Sequence, residues 1–391
     1  MPACRFYPRG PLVKKTILCI VGARPNFMKI APIIPALRNI SIELNPYLVH
    51  TGQHYDAEMK DTFFDQLGIP EPDIDLGVGS GSHAVQTAEV MRCFEPVIDE
   101  YDPAAVLVVG DVNSTIACAL VAVKKGIPVI HVEAGLRSGD RTMPEEINRV
   151  LTDQISDLLF TTEADALLNL KREGIDETRV HFVGNVMIDT LLNNQSRAVP
   201  PVDTIGTEYA HFATGERGYA LVTSHRPANV DDPVVLKGLI ETIVDVSKRI
   251  PVVFPIHPRT RAAIETAGLD GLLDRDSICC LKPLTYLNML GLMASARMVL
   301  TDSGGIQEET TALGVPCITL RDSTERPITV DSGTNTIVGL DRDKIFAAVD
   351  LVLASGGKVG QVPEFWDGKA AIRIAEIIRD WLGLESEGQV A

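Results

Sequence analysis

Two doubly wound α/β halves facing a central cleft are what this amino-acid sequence predicts. Three observations carry the prediction. The chain has 391 residues, room for two domains at roughly 100–200 residues each. Short apolar runs alternate with longer amphipathic ones, the βαβα order of a parallel sheet with helices on both faces. The pattern then restarts after Gly184, and between residues 192 and 218 it turns irregular, with Pro200–Pro201 and several glycines.

The elements follow in order. Ile17–Val21, Ala105–Val109, Val129–Val132, Leu158–Phe160 and Val180–Val183 read as buried strands of the first half. Between them, Val85, Ala88, Met91, Phe94, Val97 and Ile98 form one apolar stripe of helical period. Ser114–Lys125, Glu145–Ile155 and Glu163–Arg172 are further helices. The second half offers the strands Tyr219–Thr223, Val252–Pro255, Ser277–Leu281, Met298–Thr301 and Cys317–Leu320. Gly368–Leu384 reads as a final amphipathic helix after the turn-rich Gly356–Pro363. The domains are expected at 1–184 and 185–367, with 368–391 completing the first.

Composition narrows the function. Hydrophobic residues are 45% and charged residues 23%, a globular balance. Lys+Arg 36 against Asp+Glu 52 gives a net charge of −16. That acidity, without a Lys/Arg run, argues against nucleic acid or an anionic membrane as partner. The longest apolar stretch, Ile116–Val123, is too short to span a bilayer. Lys14 and Lys15 before Thr16–Ala23 imitate a signal peptide, but Arg24 stands where a small-residue cleavage site belongs. Seven cysteines without a C-x-x-C pair read as reduced residues of a cytoplasmic protein, with no zinc site.

Ligands of doubly wound sheets sit beyond the carboxyl ends of the strands, so the segments after each strand matter most. Gly22-Ala23-Arg24-Pro25-Asn26-Phe27-Met28-Lys29 places Arg24 and Lys29 at a helix start, which suits an anion or is an ordinary βα turn. Asp111 ends a strand and points toward the cleft, while Asn113 or Ser114 can cap the next helix. Glu133 occupies the same topological place one strand on. Glu145 and Glu146 open a helix behind Pro144, and Glu145 could pair with Arg149; for one of the two glutamates a helix-dipole role suffices. Carboxylates gathered beyond neighbouring strands raise one another's pKa, which makes acid–base work usable near neutral pH. In the second half His225 and His257 each follow a strand beside an arginine. Thr301-Asp302-Ser303-Gly304-Gly305-Ile306-Gln307-Glu308-Glu309 is a strand, a glycine turn and a helix start, shaped for a diphosphate, with Glu309 placed for ribose hydroxyls. Arg326 follows the next strand. Gly77-Val78-Gly79-Ser80-Gly81-Ser82 only mimics a dinucleotide fingerprint; it reads as a turn capped by Ser82, and no NAD or ATP site is expected.

The motifs GARPNFMK, TGQH (51–54), GDVNST, HVEAGLRSGD (131–140), PEEINR (144–149), SHRPANVD, TDSGGIQEE and RDSTERP stand in the order of a known family. The chain resembles the non-hydrolysing UDP-N-acetylglucosamine 2-epimerases, of glycosyltransferase-B-like fold. The resemblance implies interconversion of UDP-GlcNAc and UDP-ManNAc, by anti elimination of UDP to 2-acetamidoglucal and re-addition, without a cofactor. It implies Asp111, Glu133, Glu145 and His225 as catalytic positions. It implies Arg24, Lys29, His225, Ser303, Gly304, Gly305 and Arg326 as diphosphate contacts, Glu309 as the ribose contact and His257 as a further position of the cleft. It also implies a homodimer supplying surface polysaccharide. Asn26, Pro227 and Ala228 depart from the family pattern. They leave open a second, activating UDP-GlcNAc and the substitution of the sugar, since related epimerases take more decorated UDP-sugars. A UDP-sugar glycosyltransferase of the same fold would use the Ser-Gly-Gly loop and Glu309, but needs no set of three carboxylates. A UDP-sugar sensor would need none of them.

Overall fold

The computed structural model describes residues 14–52 and 67–385, apart from the side chain of Arg24. Two sheets form, both wholly parallel. The first comprises β1 Lys15–Val21, β2 Leu44–His50, β3 Ile74–Asp75, β4 Ala105–Val109, β5 Val129–Ala134, β6 Leu158–Thr161 and β7 Val180–Phe182. Its order is β3-β2-β1-β4-β5-β6-β7. The second comprises β8 Ala220–Thr223, β9 Val252–Pro255, β10 Ile278–Leu281, β11 Met298–Thr301, β12 Cys317–Thr319 and β13 Asn335–Ile337, in the order β10-β9-β8-β11-β12-β13. Each order reverses once, between β1 and β4 and between β8 and β11. Those two switch points are where an open α/β sheet leaves a crevice.

The central strands are buried along their whole length because helices cover both faces, so β4, β8 and β9 read as mainly apolar runs, while β5 also buries His131 and Glu133. Three strands carry no such signal. β2 contains Asn45-Pro46, a pair that argues against a strand. Pro46 is tolerated because β3 reaches only Val49 and His50, which leaves that part of β2 on the sheet's edge. β3 and β13 are two and three residues long. The segment 192–218, irregular in sequence, contains the helix Pro201–Thr214; Pro201 opens it and Gly206, at φ 77°, kinks it. Ser82 caps the helix His83–Tyr101 by accepting from Val85 N at 3.3 Å, as the sequence suggests.

The last helix, Ala370–Trp381, packs against the helix Ile33–Ile40 of the first half, burying Ala371, Ile374 and Ile378 beside Ile33 and Leu37. Asp189 caps it, accepting from Ala370 N at 3.1 Å and Ala371 N at 2.7 Å. Lys15 Nζ donates to Leu382 O at 2.6 Å, tying its far end to β1. Among the described residues no helix is long and apolar enough to cross a membrane, and no group of three or more His, Cys, Asp or Glu side chains is arranged to hold a metal ion.

Candidate functional site

A cleft of about 520 Å³ opens where the two switch points face each other. Lys29, Asp111 and Glu145 line it from the first half; His225, His257, Ser303–Gly305, Glu309 and Arg326 line it from the second. The helix Arg24–Ile30 carries Arg24 at its start, whose side chain lies outside the described residues. Gln53 and His54 of the TGQH motif also lie outside them.

Asn26 sets the geometry of the first wall. Its Oδ1 accepts from Ala23 N at 2.9 Å and its Nδ2 donates to Val109 O at 2.9 Å, which ties the β1 turn to the end of β4. Lys29 then lies over Gly110. A Cβ on Gly110 would stand 2.7 Å from Lys29 Nζ, and its φ of +67° favours glycine in any case.

Lys29 meets Glu133 at 2.7 Å, and Arg326 reaches Glu133 from the second half at 2.9 Å. Glu133 sits at φ 73°, the left-handed region, where the β5–β6 register shifts. That backbone costs of order 1–3 kcal/mol in a non-glycine residue. It turns the carboxylate between the two cations. Burial acts to raise the Glu133 carboxyl, but Lys29 and Arg326 outweigh it and hold it below the ordinary value. Arg326 also grips Glu308 at 2.8 Å, and Asn185 Nδ2 donates to the same carboxyl at 2.9 Å. Burial pushes Glu308 up to about 7, and it pushes Glu163, also near Arg326, up to about 8. Glu133 therefore lies behind the cations that face the cleft, within a buried group of carboxyls unequal in acidity.

Asp111 stands at the cleft edge, with Arg149 Nη1 3.7 Å from its carboxylate and Asn148 Nδ2 donating to its carbonyl at 2.9 Å. The helix after it is capped by Val112 without a side-chain bond, so neither Asn113 nor Ser114 takes the capping place expected from sequence. Asn113 donates to Gln86 at 2.7 Å, and Ser114 pairs with Thr51 at 2.7 Å instead. The two glutamates behind Pro144 divide as the sequence left open. Glu146 is buried, accepts from Ser138 N and Gly139 N at 2.9 Å each, and pairs with Arg149 at 3.3 Å. The ion pair of Arg149 on this helix is with Glu146, not with Glu145 as proposed from the i,i+4 spacing. Glu145 is half-buried and faces the cleft.

The second wall is built on Asp302, which the sequence shows only as part of the Ser-Gly-Gly motif. Burial acts to raise its carboxyl, yet His225, Arg226 N and Ser224 hold it at about 2. Beside it, Ser303 precedes the helix Gly304–Leu313, whose first residues line the cleft. Gly304 lies tight against Glu325: a Cβ would stand 2.7 Å from Glu325 Oε1, which would have to shift. Glu325 takes Arg226 at 3.2 Å and Arg321 at 2.7 Å. Glu309 is buried one helical turn in, accepting from Tyr286 Oη at 3.0 Å. Tyr286 follows no motif, and its place here comes from packing alone. The cleft thus joins a glycine-led helix start with nearby cations, a buried carboxylate held by Tyr286, and carboxylates on the opposite wall.

A family model described as UDP-N-acetylglucosamine 2-epimerase matches residues 36–379. The chain is 42% identical over 362 residues to the UDP-N-acetylglucosamine 2-epimerase of Methanocaldococcus jannaschii, covering 92% of this chain and 97% of that one. It is also 42% identical over 369 residues to the UDP-2,3-diacetamido-2,3-dideoxy-D-glucuronate 2-epimerase of Pseudomonas aeruginosa, covering 93% and 99%. The crystal structure of the M. jannaschii enzyme in complex with UDP-GlcNAc and UDP superposes with a TM-score of 0.83 at 41% identity, covering 93% of this chain and 99% of that one. The Neisseria meningitidis enzyme bound to UDP-GlcNAc gives 0.81 at 29% identity, covering 93% and 100%.

Proposed function

The chain belongs to the UDP-N-acetylglucosamine 2-epimerase family, a family of isomerases, and from that premise we propose that it inverts C2 of UDP-GlcNAc to give UDP-ManNAc, and back. The observation that carries the reading is the cleft itself: Asp111 and Glu145 on one wall face a Ser-Gly-Gly helix start, Glu309 and Arg326 on the other. The C2 proton has no carbonyl beside it, so its removal must be coupled to loss of a stable leaving group. A carboxylate takes the C2 proton, the C2–H electron pair becomes the C1=C2 double bond, and the C1–O bond breaks with its own bonding pair leaving on UDP. Re-addition after protonation from the other face inverts C2. Two faces require two proton-transfer groups, and Asp111 and Glu145 fill those roles. Ser303 to Gly305, Lys29 and Arg326 hold the diphosphate, and Glu309 the ribose. His225 and His257 stand at the same end. Once Lys29 and Arg326 turn to the diphosphate, Glu133 loses counter-charge, which moves its carboxyl upward.

Incubation with UDP-GlcNAc in D₂O tests the reading. Deuterium at C2 without any acceptor is the expected result; none at C2 would remove the proposal. A second reading, epimerisation of a more decorated UDP-HexNAc, is favoured by the Pseudomonas relative, which is as similar as the archaeal one. Parallel assays with UDP-GlcNAc and with UDP-2,3-diacetamido-2,3-dideoxyglucuronate separate the two by kcat/KM. The reading extends to a cytoplasmic homodimer, checked by sedimentation velocity and by fractionation of the native host.

A further inference from the structure

Two imidazoles enter the cleft from the second half, their ring centroids 5.3 Å apart. Each is held at Nδ1, but by partners of opposite polarity. His257 Nδ1 accepts from Arg259 N at 3.2 Å, so its hydrogen resides on Nε2 when the ring is neutral. His225 Nδ1 instead meets Asp302 Oδ1 at 3.1 Å.

Asp302 is fully buried and surrounded by donors. Ser224 Oγ donates to it at 2.8 Å, His225 N and Arg226 N at 3.0 Å, and Asn229 Nδ2 at 3.1 Å. A carboxylate gathering so many donors remains ionised, and an ionised carboxylate can only accept. The His225 nitrogen facing it must therefore carry hydrogen. Arg226 Nε donates to the Asp302 carbonyl at 3.2 Å and Glu325 takes the Arg226 guanidinium, so the nearest charges are fixed as well.

We propose that Asp302 is the positioning residue for His225: its carboxylate fixes Nδ1 as the hydrogen-bearing nitrogen and leaves Nε2 as the atom presented to the cleft. The neutral ring takes a proton from solvent at Nε2 before elimination and, once charged, donates it to an oxygen of the departing diphosphate, returning to the neutral Nδ1–H form. His257, in the opposite tautomer, offers an N–H beside it. A base and a donor of one residue type thus stand side by side, assigned by their Nδ1 partners. The part His225 plays in turnover rests on the epimerase reading; the tautomer does not.

Two measurements on the full-length protein test this. Long-range ¹H–¹⁵N NMR of histidine-labelled protein, with His225 assigned by the signals lost in His225→Gln, reads the tautomer at high pH without substrate. The Nδ1–H form is expected, against the Nε2–H preference of free imidazole. An Nε2–H pattern overturns the proposal whatever the protein catalyses. In Asp302→Asn, the amide can donate to Nδ1 and reverse the tautomer. Turnover should fall by about 10²-fold or more, with UDP affinity by calorimetry within about threefold of wild type. Unchanged turnover in a folded variant, or a loss of UDP affinity equal to the loss of turnover, rejects the positioning role. Should that variant not fold, the wild-type tautomer decides alone. Failure of deuterium exchange at C2 with the Nδ1–H form present would remove the epimerase reading and leave the Asp302–His225 assignment standing.

Discussion

Replacing Lys29 by methionine keeps the apolar stem and removes the ammonium 2.7 Å from Glu133. Arg326 remains at 2.9 Å, but it is shared with Glu308. A buried carboxylate that loses a counter-charge either stays ionised at a cost or takes up a proton. The second route sets a ceiling on the damage. From an ordinary pKa of 4.5, protonation at pH 7 costs about (7 − 4.5) × 1.36, or ~3.4 kcal/mol, and at pH 5 about 0.7 kcal/mol. The sign follows. In the wild type the Glu133 pKa is lowered, so its stabilisation is present above 4.5 and is lost as pH falls. In the variant the pKa is raised, so stability declines as pH climbs above 4.5. The gap between the two proteins therefore widens with pH. At ~2–4 °C per kcal/mol for a domain of this size, Tm should fall by as much as about 7–14 °C at pH 7 and only about 1–3 °C at pH 5. Differential scanning fluorimetry at both pH values measures it. Equal losses at the two pH values would refute the charge argument and point to packing.

Other expectations follow from neighbouring residues. Asp111→Asn and Glu145→Gln should each lower turnover by about 10²-fold or more with UDP affinity retained, since general acid–base terms are worth ~10²–10⁴; near-normal turnover in both would remove their proposed role. Glu146→Gln should lose about 1–3 kcal/mol of stability, because a single amide oxygen cannot serve both Ser138 N and Gly139 N, while calorimetric UDP affinity stays the same. Gly304→Ala should weaken UDP binding, since the new methyl group displaces Glu325 and with it the helix start; calorimetry showing wild-type affinity would contradict this. Glu163, raised to about 8, gives stability that is full below 4.5 and lost as pH rises through 8. Glu163→Gln should accordingly raise Tm at pH 8.5 and leave it nearly unchanged at pH 5.

The strands legible in the sequence are those buried on both faces, such as β4, whose apolar run admits no other reading. β2 was hidden by its proline, β3 by its two-residue length, and β13 because Asn335-Thr336-Ile337 contains a single apolar residue. Residues immediately after strands β4, β8 and β11 were legible as cleft residues because topology alone puts them there: Asp111, His225 and Ser303. What sequence could not tell was which of several carboxylates faces the cleft. Glu145 and Glu146 differ only because the Ser138–Gly139 turn comes back over one of them. Glu133 sits behind its cations because one left-handed residue and a register shift rotate it there, a tertiary event without a local signal.

The helix Ala370–Trp381, docked on Ile33–Ile40, makes the first half depend on residues synthesised only after the whole second sheet. A nascent chain that has emitted all seven strands of the first sheet still lacks the helix that packs on the apolar patch around Ile33 and Leu37. That patch stays uncovered through translation of the entire second half. The first sheet to be made is therefore completed only after the second, a condition that favours chaperone attendance and makes a stop codon just before residue 370 a lesion of the first half.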